Sequence, residues 1–426
     1  MKNKQIVPRN FDVIIAGAGV AGVLTANRIS HASQKTTVAL LDLHPSIGGK
    51  LRSTEWSNKH FSCGMETISS KLFEFIKNSW SSSPKGKTTA IALQPVSSTI
   101  GILSGGKLQK ISTEELISEK GARYLVGANI RKEWGELNKI ISNDPSYEVN
   151  IHKIISRTKK TPAAVAANVF CHTLGIPSTY HTSLKVVKER FEYTKDLLYQ
   201  TNWETALQKF VNQDISKNIH FFPQKIITAV KEKNNWQIDT LQETFTCKKL
   251  IVAHSPWESI EWLEKKETPQ AVLNVALKTR PVSQVVLNKQ LTTEVDLPST
   301  IIIVSEQVTA HVQQHCITFS TFIDYEQSTD ALAVVKAIKR LKRSFRKLSK
   351  YCSTISVKDE HVALYPIGWA QCIGKNDHKM LQLLNDYKYY SDSLAFCGES
   401  YGSSYNPDSN LIKSVLAASL WFTKSK

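Results

Sequence analysis

Three glycines and one acid near the start of the chain have the types and spacing that bind a dinucleotide. Gly17, Gly19 and Gly22 follow a short apolar run, and Asp42 lies at the end of the next one. In such a loop the first glycine allows a tight turn, the second lets the backbone approach a pyrophosphate, and the third lets helix and strand pack closely. An acid at the position of Asp42 hydrogen-bonds a ribose and disfavours a 2′-phosphate. The predicted contacts to the dinucleotide are Gly17, Gly19, Val20, Ala21, Gly22 and Asp42.

The elements that position these residues form a strand–helix–strand unit. Residues 11–16 are apolar apart from Asp12 and predict a strand, "VAGVLTANRIS" predicts a helix packed by small residues, and residues 36–43 predict the next strand. The helix N-terminus points unpaired N–H groups and the positive end of its dipole at the phosphates. The glycines alone also fit a packing turn, but the order of strand, glycines, helix, strand and acid favours a dinucleotide.

A second glycine pair follows the acid. Gly48 and Gly49 precede Lys50 and Arg52, and with this pair the chain resembles the flavin amine oxidase superfamily. That superfamily includes monoamine and polyamine oxidases, protoporphyrinogen oxidases and phytoene-type desaturases, and in it a Gly-Gly-Arg contacts the FAD pyrophosphate. Lys50 stands where the family has arginine, and Arg52 is the candidate for the bidentate phosphate contact that lysine does not make. The alternative interpretation of the Gly48-Gly49-Lys50 segment is an ordinary surface turn.

A segment near the C-terminus extends the resemblance. "SLAFCGESYGSSYNPDSNLIKSVLAAS" indicates a short strand, a Gly-Glu pair, a loop and an apolar helix with Ser414 near its start. The resemblance implies that the acid of the pair binds the ribityl chain and that the helix N-terminus faces the flavin pyrimidine. The residues implied are Gly398, Glu399, Asn410, Leu411 and the backbone up to Ile412.

A central segment supplies the third similar piece. A predicted helix at residues 201–211 precedes several predicted strands and then "IVAHSP", which ends a strand and enters another helix. In the resembling family the backbone at the position of Ile227 touches adenine. The cofactor that the three pieces together imply is FAD.

The predicted fold class is α/β, with a discontinuous Rossmann-like FAD-binding domain and an α+β substrate domain of mixed sheet and helices. The FAD-binding domain comprises residues 1–70, 200–262 and 385–426, and the substrate-binding domain comprises 71–199 and 263–384. Within the latter, "VSQVVLN", "TIIIVS" and "HCITFS" predict an antiparallel sheet from about residue 274 to 361, covering the flavin.

The candidate catalytic residues are Trp369, Tyr405 and Lys278. Trp369 is a candidate wall of the substrate pocket, although a core tryptophan also fits. The tyrosine that the family has in its C-terminal loop falls here on Pro407, two residues from Tyr405. Lys278 is the candidate for the lysine near flavin N5, and the alternative is a solvated lysine on a strand. For His254, beside the flavin strand, a structural role is favoured over a catalytic one.

The formal net charge of +17 indicates anionic partners but does not choose among them. The scattered cysteines predict reduced thiols and no metal site, and no apolar run is long enough to span a bilayer, so a cytoplasmic location is expected.

Residues 332–350 predict a basic amphipathic helix whose apolar positions are Val335, Ile338, Leu341, Phe345 and Leu348. This helix either docks peripherally to an anionic membrane or acidic protein, or packs on the core with a solvated basic face. No nucleic-acid partner is expected.

Three functions fit these patterns. The first is an FAD-dependent oxidoreductase that removes a hydride from an amine-bearing or similar reduced substrate to flavin N5. The second is a membrane-associated oxidase or desaturase of a tetrapyrrole or isoprenoid. The third is a partner or maturation protein that binds FAD without turnover, which the altered tyrosine position suggests.

Overall fold

The computed structural model describes residues 9–49, 53–56, 59–62, 67–81, 94–95, 99–112, 198–200, 218–278, 280–313, 315–351, 355–372, 391–401 and 407–424. The chain divides into two compact units. Unit 1 comprises Met1–Gln94, Leu198–Lys278 and Asn376–Lys426, and unit 2 comprises Pro95–Leu197 and Thr279–Lys375.

The helices and strands of the described residues are numbered here in chain order. The helices are α1 (Val20–Ala32), α2 (Ser70–Ser81), α3 (Pro256–Trp262), α4 (Gln270–Lys278), α5 (Ala331–Ser349) and α6 (Pro407–Lys424). The strands up to the middle of the chain are β1 (Arg9–Ala16), β2 (Val38–Asp42), β3 (Ser53–Trp56), β4 (Lys59–Ser62), β5 (Thr67–Ser69), β6 (Gln94–Pro95), β7 (Thr99–Ser104), β8 (Lys107–Ser112) and β9 (Leu198–Gln200). The later strands are β10 (Ile219–Pro223), β11 (Ile226–Glu232), β12 (Asn235–Thr240), β13 (Thr244–Val252), β14 (Arg280–Leu291), β15 (Thr300–Ile303), β16 (Val308–Gln313), β17 (Cys316–Asp324), β18 (Val357–Cys372) and β19 (Leu394–Phe396).

The main sheet of unit 1 is seven-stranded, and its centre is parallel. Strands β10, β2, β1 and β13 lie side by side in parallel. Beyond β13, the antiparallel β12 pairs with its first half and the parallel β19 with its last three residues, and β11 pairs with β12. The sheet therefore joins strands from the beginning, the middle and the end of the sequence.

The central strands are apolar because both faces of the sheet are covered. Val13, Ile14 and Ile15 of β1 and Leu40 of β2 are 0% exposed, as expected for parallel strands buried on both faces. Helices α1, α2 and α6 contribute to the core on one side of this sheet. The small residues of α1 allow this close packing, since ten of its thirteen positions are buried.

Unit 1 extends to residues 94 and 278, beyond the sequence-based boundaries at 70 and 262. Helix α2 lies with unit 1 because Leu72 and Ile76 join the core that contains α1, and Asn27 Nδ2 donates to the carbonyl of Ser79 at 3.0 Å. Helix α4 likewise lies within unit 1. Its last residue is Lys278, so the expectation of a strand at this lysine was wrong. The strand that the apolar pattern predicted begins at Arg280.

The sheet of unit 2 has the order β18-β14-β17-β16-β15-β7-β8. Its neighbouring strands are antiparallel, except that β15 and β7 are parallel. Helix α5 packs on this sheet, where Leu341 and Leu348 join Leu287, Ile303 and Phe319 in a buried cluster. The sequence-based prediction of a largely antiparallel sheet over residues 274–361 is thus confirmed in type, with the start corrected from 274 to 280.

Candidate functional site

The carboxyl ends of five strands line up along one edge of the unit 1 sheet. The register places Phe222, Leu41, Ala16, Val252 and Phe396 in one row, each from a different parallel strand. The chain leaves three of these strands at Gly17, Ala253 and Cys397, whose N–H groups donate to the carbonyls of Leu41, Ala16 and Val252. In open parallel sheets this carboxyl edge is where nucleotides bind.

Two of the glycines after β1 fill places where a side chain has no room. A Cβ on Gly22 would lie 1.9 Å from the carbonyl oxygen of Gly17. Gly17 has φ +113°, and a Cβ there would lie 3.0 Å from the Ala253 carbonyl carbon and 3.0 Å from His254 Cδ2. The first and third glycines therefore let the strand-to-helix turn close against the end of β13.

The N-terminus of α1 has no side-chain cap. Gly19 is the N-cap and offers no side-chain oxygen to the first turn, and the first turn contains no acidic residue. The first N–H groups of a helix lack intrahelical partners and carry the positive end of the dipole. A phosphate is the ligand that such an uncapped glycine turn accommodates.

Asp42 is fixed at the end of β2. Its carboxylate accepts hydrogen bonds from the N–H of Ala18 at 2.8 Å and of His44 at 3.1 Å, and the residue is 9% exposed. The bond from Ala18 ties the acid to the glycine turn. A carboxylate has about four acceptor positions, so Asp42 keeps capacity for ribose hydroxyls.

The second glycine pair packs directly on the first loop. The N–H of Gly48 donates to the carbonyl of Ala18 at 3.0 Å, and Gly48 forms a parallel bridge with Gly19. Gly49 has φ +55°, and a Cβ there would lie 2.8 Å from the Cα of Gly19. This close backbone approach explains the need for glycine. Lys50 and Arg52 lie outside the described residues, so their phosphate contact stays a prediction.

The segment after β19 is held by side chains of α6. Ser414 Oγ lies 2.9 Å from the N–H of Gly398, from which it accepts, and Asn410 Nδ2 donates to the carbonyl of Glu399 at 3.1 Å. Because α6 begins at Pro407, Asn410 and Leu411 belong to its early turns, whereas Ser414 lies two turns in. The expectation that Ser414 lies near the helix start was wrong.

Tyr401 and Cys397 flank the Gly398-Glu399 pair as buried groups. Tyr401 Oη donates to the carbonyl of His254 at 2.8 Å, and burial raises the pKa of this phenol. Burial also raises the pKa of the Cys397 thiol to about 12, against the hydrogen bond from Thr25 that lowers it. Both groups therefore stay protonated at neutral pH and join β19 to β13 and α1.

His254 lies behind the glycine turn. Its ring packs edge-on against Trp262 with centroids 5.8 Å apart, and its backbone carbonyl binds Tyr401. Its Nδ1 is buried and has no hydrogen-bond partner within the described part of the chain. These contacts favour the structural role expected from the sequence.

The three catalytic candidates lie in different parts of the chain. Trp369 lies in β18 of unit 2, paired in register with Val282. Lys278 ends α4 of unit 1, and Tyr405 lies outside the described residues. Ile227, predicted to touch adenine, lies at a register shift of the edge strand β11 and is 40% exposed. These roles stay predictions.

One buried acid was missed by the sequence reasoning. Asp408, 2% exposed, follows Pro407 in the first turn of α6 and accepts from the N–H of Ser69 at 2.9 Å. The bond links the C-terminal helix to the junction between β5 and α2. The available signal was an acid directly after a proline at a helix start.

The described ranges contain neither a candidate metal cluster nor a membrane-spanning helix. No group of three or more His, Cys, Asp or Glu side chains there has the arrangement of a metal site. No helix among those residues has the length and apolar content needed to cross a membrane.

Comparisons with known proteins agree with this geometry. A family model described as "NAD(P)-binding Rossmann-like domain" matches residues 15–78, which contain the glycine turn, Asp42 and the second glycine pair. Among curated protein sequences none matches the chain. Putrescine oxidase, solved with putrescine bound, superposes with a TM-score of 0.67 at 11% identity, covering 97% of this chain and 99% of that protein. The chain has the fold of this amine oxidase.

Two further solved structures share the fold. A candidate protoporphyrinogen oxidase from Exiguobacterium sp. 255-15 gives a TM-score of 0.67 at 10% identity and covers 99% of this chain and 100% of that one. A fatty acid isomerase from P. acnes that produces CLA gives 0.63 at 11% identity, covering 95% and 97%. The ligands named for these proteins differ widely, putrescine for one and a fatty acid for another, and identity this low relates the chain to them by fold alone.

Proposed function

We propose that the protein is an FAD-dependent oxidoreductase. The observation that carries the proposal is the row of strand ends in unit 1, which brings residues near both ends of the sequence to one edge of one sheet. A simple NAD-binding unit needs only the first of these segments. The C-terminal segment brings Gly398 and Glu399 to the same edge, beside Ala253. This second set of residues supports FAD, whose riboflavin half needs ligands in addition to those that bind the adenosine half.

The residues at this edge fit FAD in shape and chemistry. The uncapped N-terminus of α1 suits the pyrophosphate, and the absence of Cβ atoms at Gly19 and Gly49 lets the two glycine loops pack against each other beside it. Asp42 suits the adenosine ribose and disfavours a 2′-phosphate, which favours FAD or NAD over NADP. Glu399 and the start of α6 are the proposed ligands of the ribityl chain and the ring system.

The chemistry that bound FAD supplies is acceptance of a hydride at N5. The protein binds the dinucleotide through the residues named above, orients the substrate C–H and excludes water from it. The positive end of α6 stabilises negative charge beside its N-terminus. Trp369 as a pocket wall, Tyr405 as an aromatic contact and Lys278 as the lysine near N5 remain our candidates for positioning the substrate.

For the substrate we propose an amine-bearing compound or a similar reduced organic molecule. Support comes from the sequence resemblance to amine oxidases and from the shared fold with putrescine oxidase. Oxidation of an amine requires the uncharged nitrogen, since a protonated nitrogen has no lone pair to assist hydride departure.

The second candidate is a carboxylate-bearing tetrapyrrole or isoprenoid-type substrate delivered at a membrane. The specific observation that favours it is the net charge of +17. A strongly positive protein attracts anionic substrates and repels cationic amines over long range, so this charge acts against efficient capture of a polyamine.

The test is the visible spectrum of the purified protein, followed by anaerobic titration. We expect a flavin spectrum, release of FAD on denaturation, and bleaching by amines. Bleaching by porphyrinogens but not by amines would select the second candidate. A flavin spectrum that no donor of either class bleaches would instead indicate FAD binding without turnover. A colourless protein that takes up no added FAD would refute the proposal as a whole.

A further inference from the structure

One face of helix α5 in unit 2 is buried against the sheet. Ala337, Leu341, Ser344 and Leu348 are buried against the sheet, and Leu341 and Leu348 are 0% exposed. These positions follow each other at intervals of three and four residues, so they form a single side of the helix. The apolar side is therefore unavailable for insertion into anything else.

Two acids from neighbouring elements hold the flanks of the helix. Glu306 binds Arg343 at 3.2 Å and Lys347 at 2.5 Å. Glu360 binds Lys342 at 2.7 Å and is also in contact with Lys289. Burial alone raises the pKa of both carboxyls, but the hydrogen bonds from these cations lower it overall. The pairs fix the orientation of the helix on the sheet.

The opposite face is a solvent-exposed stripe, which we call the cationic stripe. Its members recur at helical spacing and are all exposed, and the helix itself contains no Asp or Glu. Among them, Lys336, Lys339, Arg346 and Lys350 have no ion-pair partner within the described part of the chain, while Arg343 is paired with Glu306. The stripe consists of Leu332, Val335, Lys336, Lys339, Arg343, Arg346 and Lys350.

Exposed aliphatic or aromatic side chains lie at both ends of the helix. Leu332 is 61% exposed and Val335 42% at the N-terminal end, and Tyr351 is 37% exposed just beyond the C-terminal end. The nineteen residues of the helix span about 28 Å. A straight row of cations with aliphatic and aromatic side chains at its ends matches a plane of anionic head groups, where apolar groups enter shallowly and tyrosine prefers the interface.

We propose that the cationic stripe is a docking surface for an anionic lipid bilayer. The helix lies flat on the head groups, because its own apolar face is closed by the sheet, and the attraction is mainly electrostatic. A nucleic acid offers the same phosphates but no place for Leu332 and Val335. The proposal concerns unit 2 and does not depend on the identity of the cofactor or substrate.

The experiment is sedimentation of the full-length protein with vesicles. Vesicles of phosphatidylcholine mixed with phosphatidylserine are compared with vesicles of phosphatidylcholine alone. We expect binding only to the mixed vesicles, and release when NaCl is raised from about 0.1 M to about 1 M, which shortens the screening length from about 10 Å to about 3 Å. Failure to bind the mixed vesicles overturns the proposal.

Matched variants locate the surface. The triple variant Lys336→Glu, Lys339→Glu and Arg346→Glu should weaken binding by at least about 100-fold, since each lost cation contributes about a fivefold factor and each added carboxylate is repelled by the anionic surface. The control carries the same change of charge at exposed lysines of unit 1, Lys35→Glu, Lys265→Glu and Lys424→Glu, and should bind nearly as wild type. Equal loss in both variants would show a response to net charge only and would overturn the proposal.

A second pair of variants separates lipid from nucleic acid. Leu332→Ser with Val335→Ser should weaken vesicle binding by several-fold and leave affinity for double-stranded DNA unchanged. Circular dichroism and the melting temperature establish that each variant is folded. Tighter binding to DNA than to mixed vesicles, with no effect of the serine substitutions on the vesicles, would contradict the bilayer as the partner.

Discussion

The strand-end edge of unit 1 and helix α5 of unit 2 are built by different physical means. The edge is assembled from glycines and backbone hydrogen bonds, and Asp42 binds N–H groups rather than a cation. Helix α5 is anchored by a buried apolar face and by carboxylates that each bind two cations. A site built from close backbone contacts tolerates no added atoms and responds little to salt. A surface built from charges tolerates substitution but depends on pH and ionic strength.

The sharpest way to break this comparison is to add one methyl group to the glycine turn. Gly22→Ala places a Cβ 1.9 Å from the Gly17 carbonyl oxygen, so the helix start or the turn must move. We expect a loss of at least about 4 kcal/mol in the free energy of unfolding, measured in urea. Gly105→Asn is the control, because a Cβ there meets nothing within 4 Å and asparagine tolerates its φ of +55°. A Gly22→Ala protein of normal stability would contradict the close packing described.

The core under α5 should give the next largest effect. Leu341 is 0% exposed within the cluster of unit 2, so Leu341→Ala should cost about 2–5 kcal/mol through lost burial and a residual cavity. Val335→Ala is the control, and we expect it to cost well under about 1 kcal/mol, because Val335 is 42% exposed. If thermal or urea unfolding shows equal losses for Leu341→Ala and Val335→Ala, then Val335 is buried as well, as the apolar face predicted from the sequence requires.

Asp408→Asn tests the buried acid that ties α6 to the start of α2. The carboxylate accepts from the N–H of Ser69 at 2.9 Å, and an amide in its place accepts more weakly and adds a buried donor. We expect a loss of about 1–3 kcal/mol. Asp392→Asn, at an exposed position of the same unit, should change stability very little. The absence of any difference between the two variants would show that the bond does not stabilise unit 1.

The smallest expected effect belongs to the ion pairs of α5. Because the pKa of Glu306 is lowered in the folded protein by Lys347 and Arg343, its contribution to stability is present above the unfolded pKa and is lost as the pH falls through the folded pKa. Glu306→Gln should therefore cost about 1 kcal/mol or less at pH 7. The difference from wild type should vanish in acid and shrink in high salt.

The control for this substitution is Glu326→Gln, which removes an exposed carboxyl whose side chain makes no ion pair within the described residues. Urea unfolding at a series of pH values gives both curves. A Glu306→Gln effect that stays constant from neutral pH into acid would contradict an electrostatic origin.

The local elements were predictable from sequence because their signals are local. The strand–helix–strand unit around Gly17, Gly19 and Gly22 is confirmed in order and type, and so are the α/β fold class and the resemblance to flavin amine oxidases as a fold. The basic helix is also confirmed, at Ala331–Ser349. The helix and the strand–helix–strand unit each rest on a periodic pattern or a fixed spacing within one stretch of chain, and the fold resemblance rests on the order of three such stretches.

What the sequence did not predict depends on tertiary contacts. Val335 has the spacing of the apolar face, yet it lies in solvent, because small residues at Ala337 and Ser344 turn the neighbouring side of α5 to the sheet. Lys278 follows an apolar run that fits a strand or a helix equally, and packing makes it a helix. The partner of Asp408 lies more than 300 residues away at Ser69, so no local pattern could identify it.

The most direct test of the account is the identity of the nucleotide that the strand-end edge of unit 1 binds. The purified full-length protein should be yellow, with the absorption bands of a protein-bound flavin, and denaturation should release FAD in about equimolar amount. Asp42→Ala should lower that content while the protein remains folded. A protein that is colourless, takes up no added FAD, and yields NAD or no nucleotide on denaturation would contradict the account.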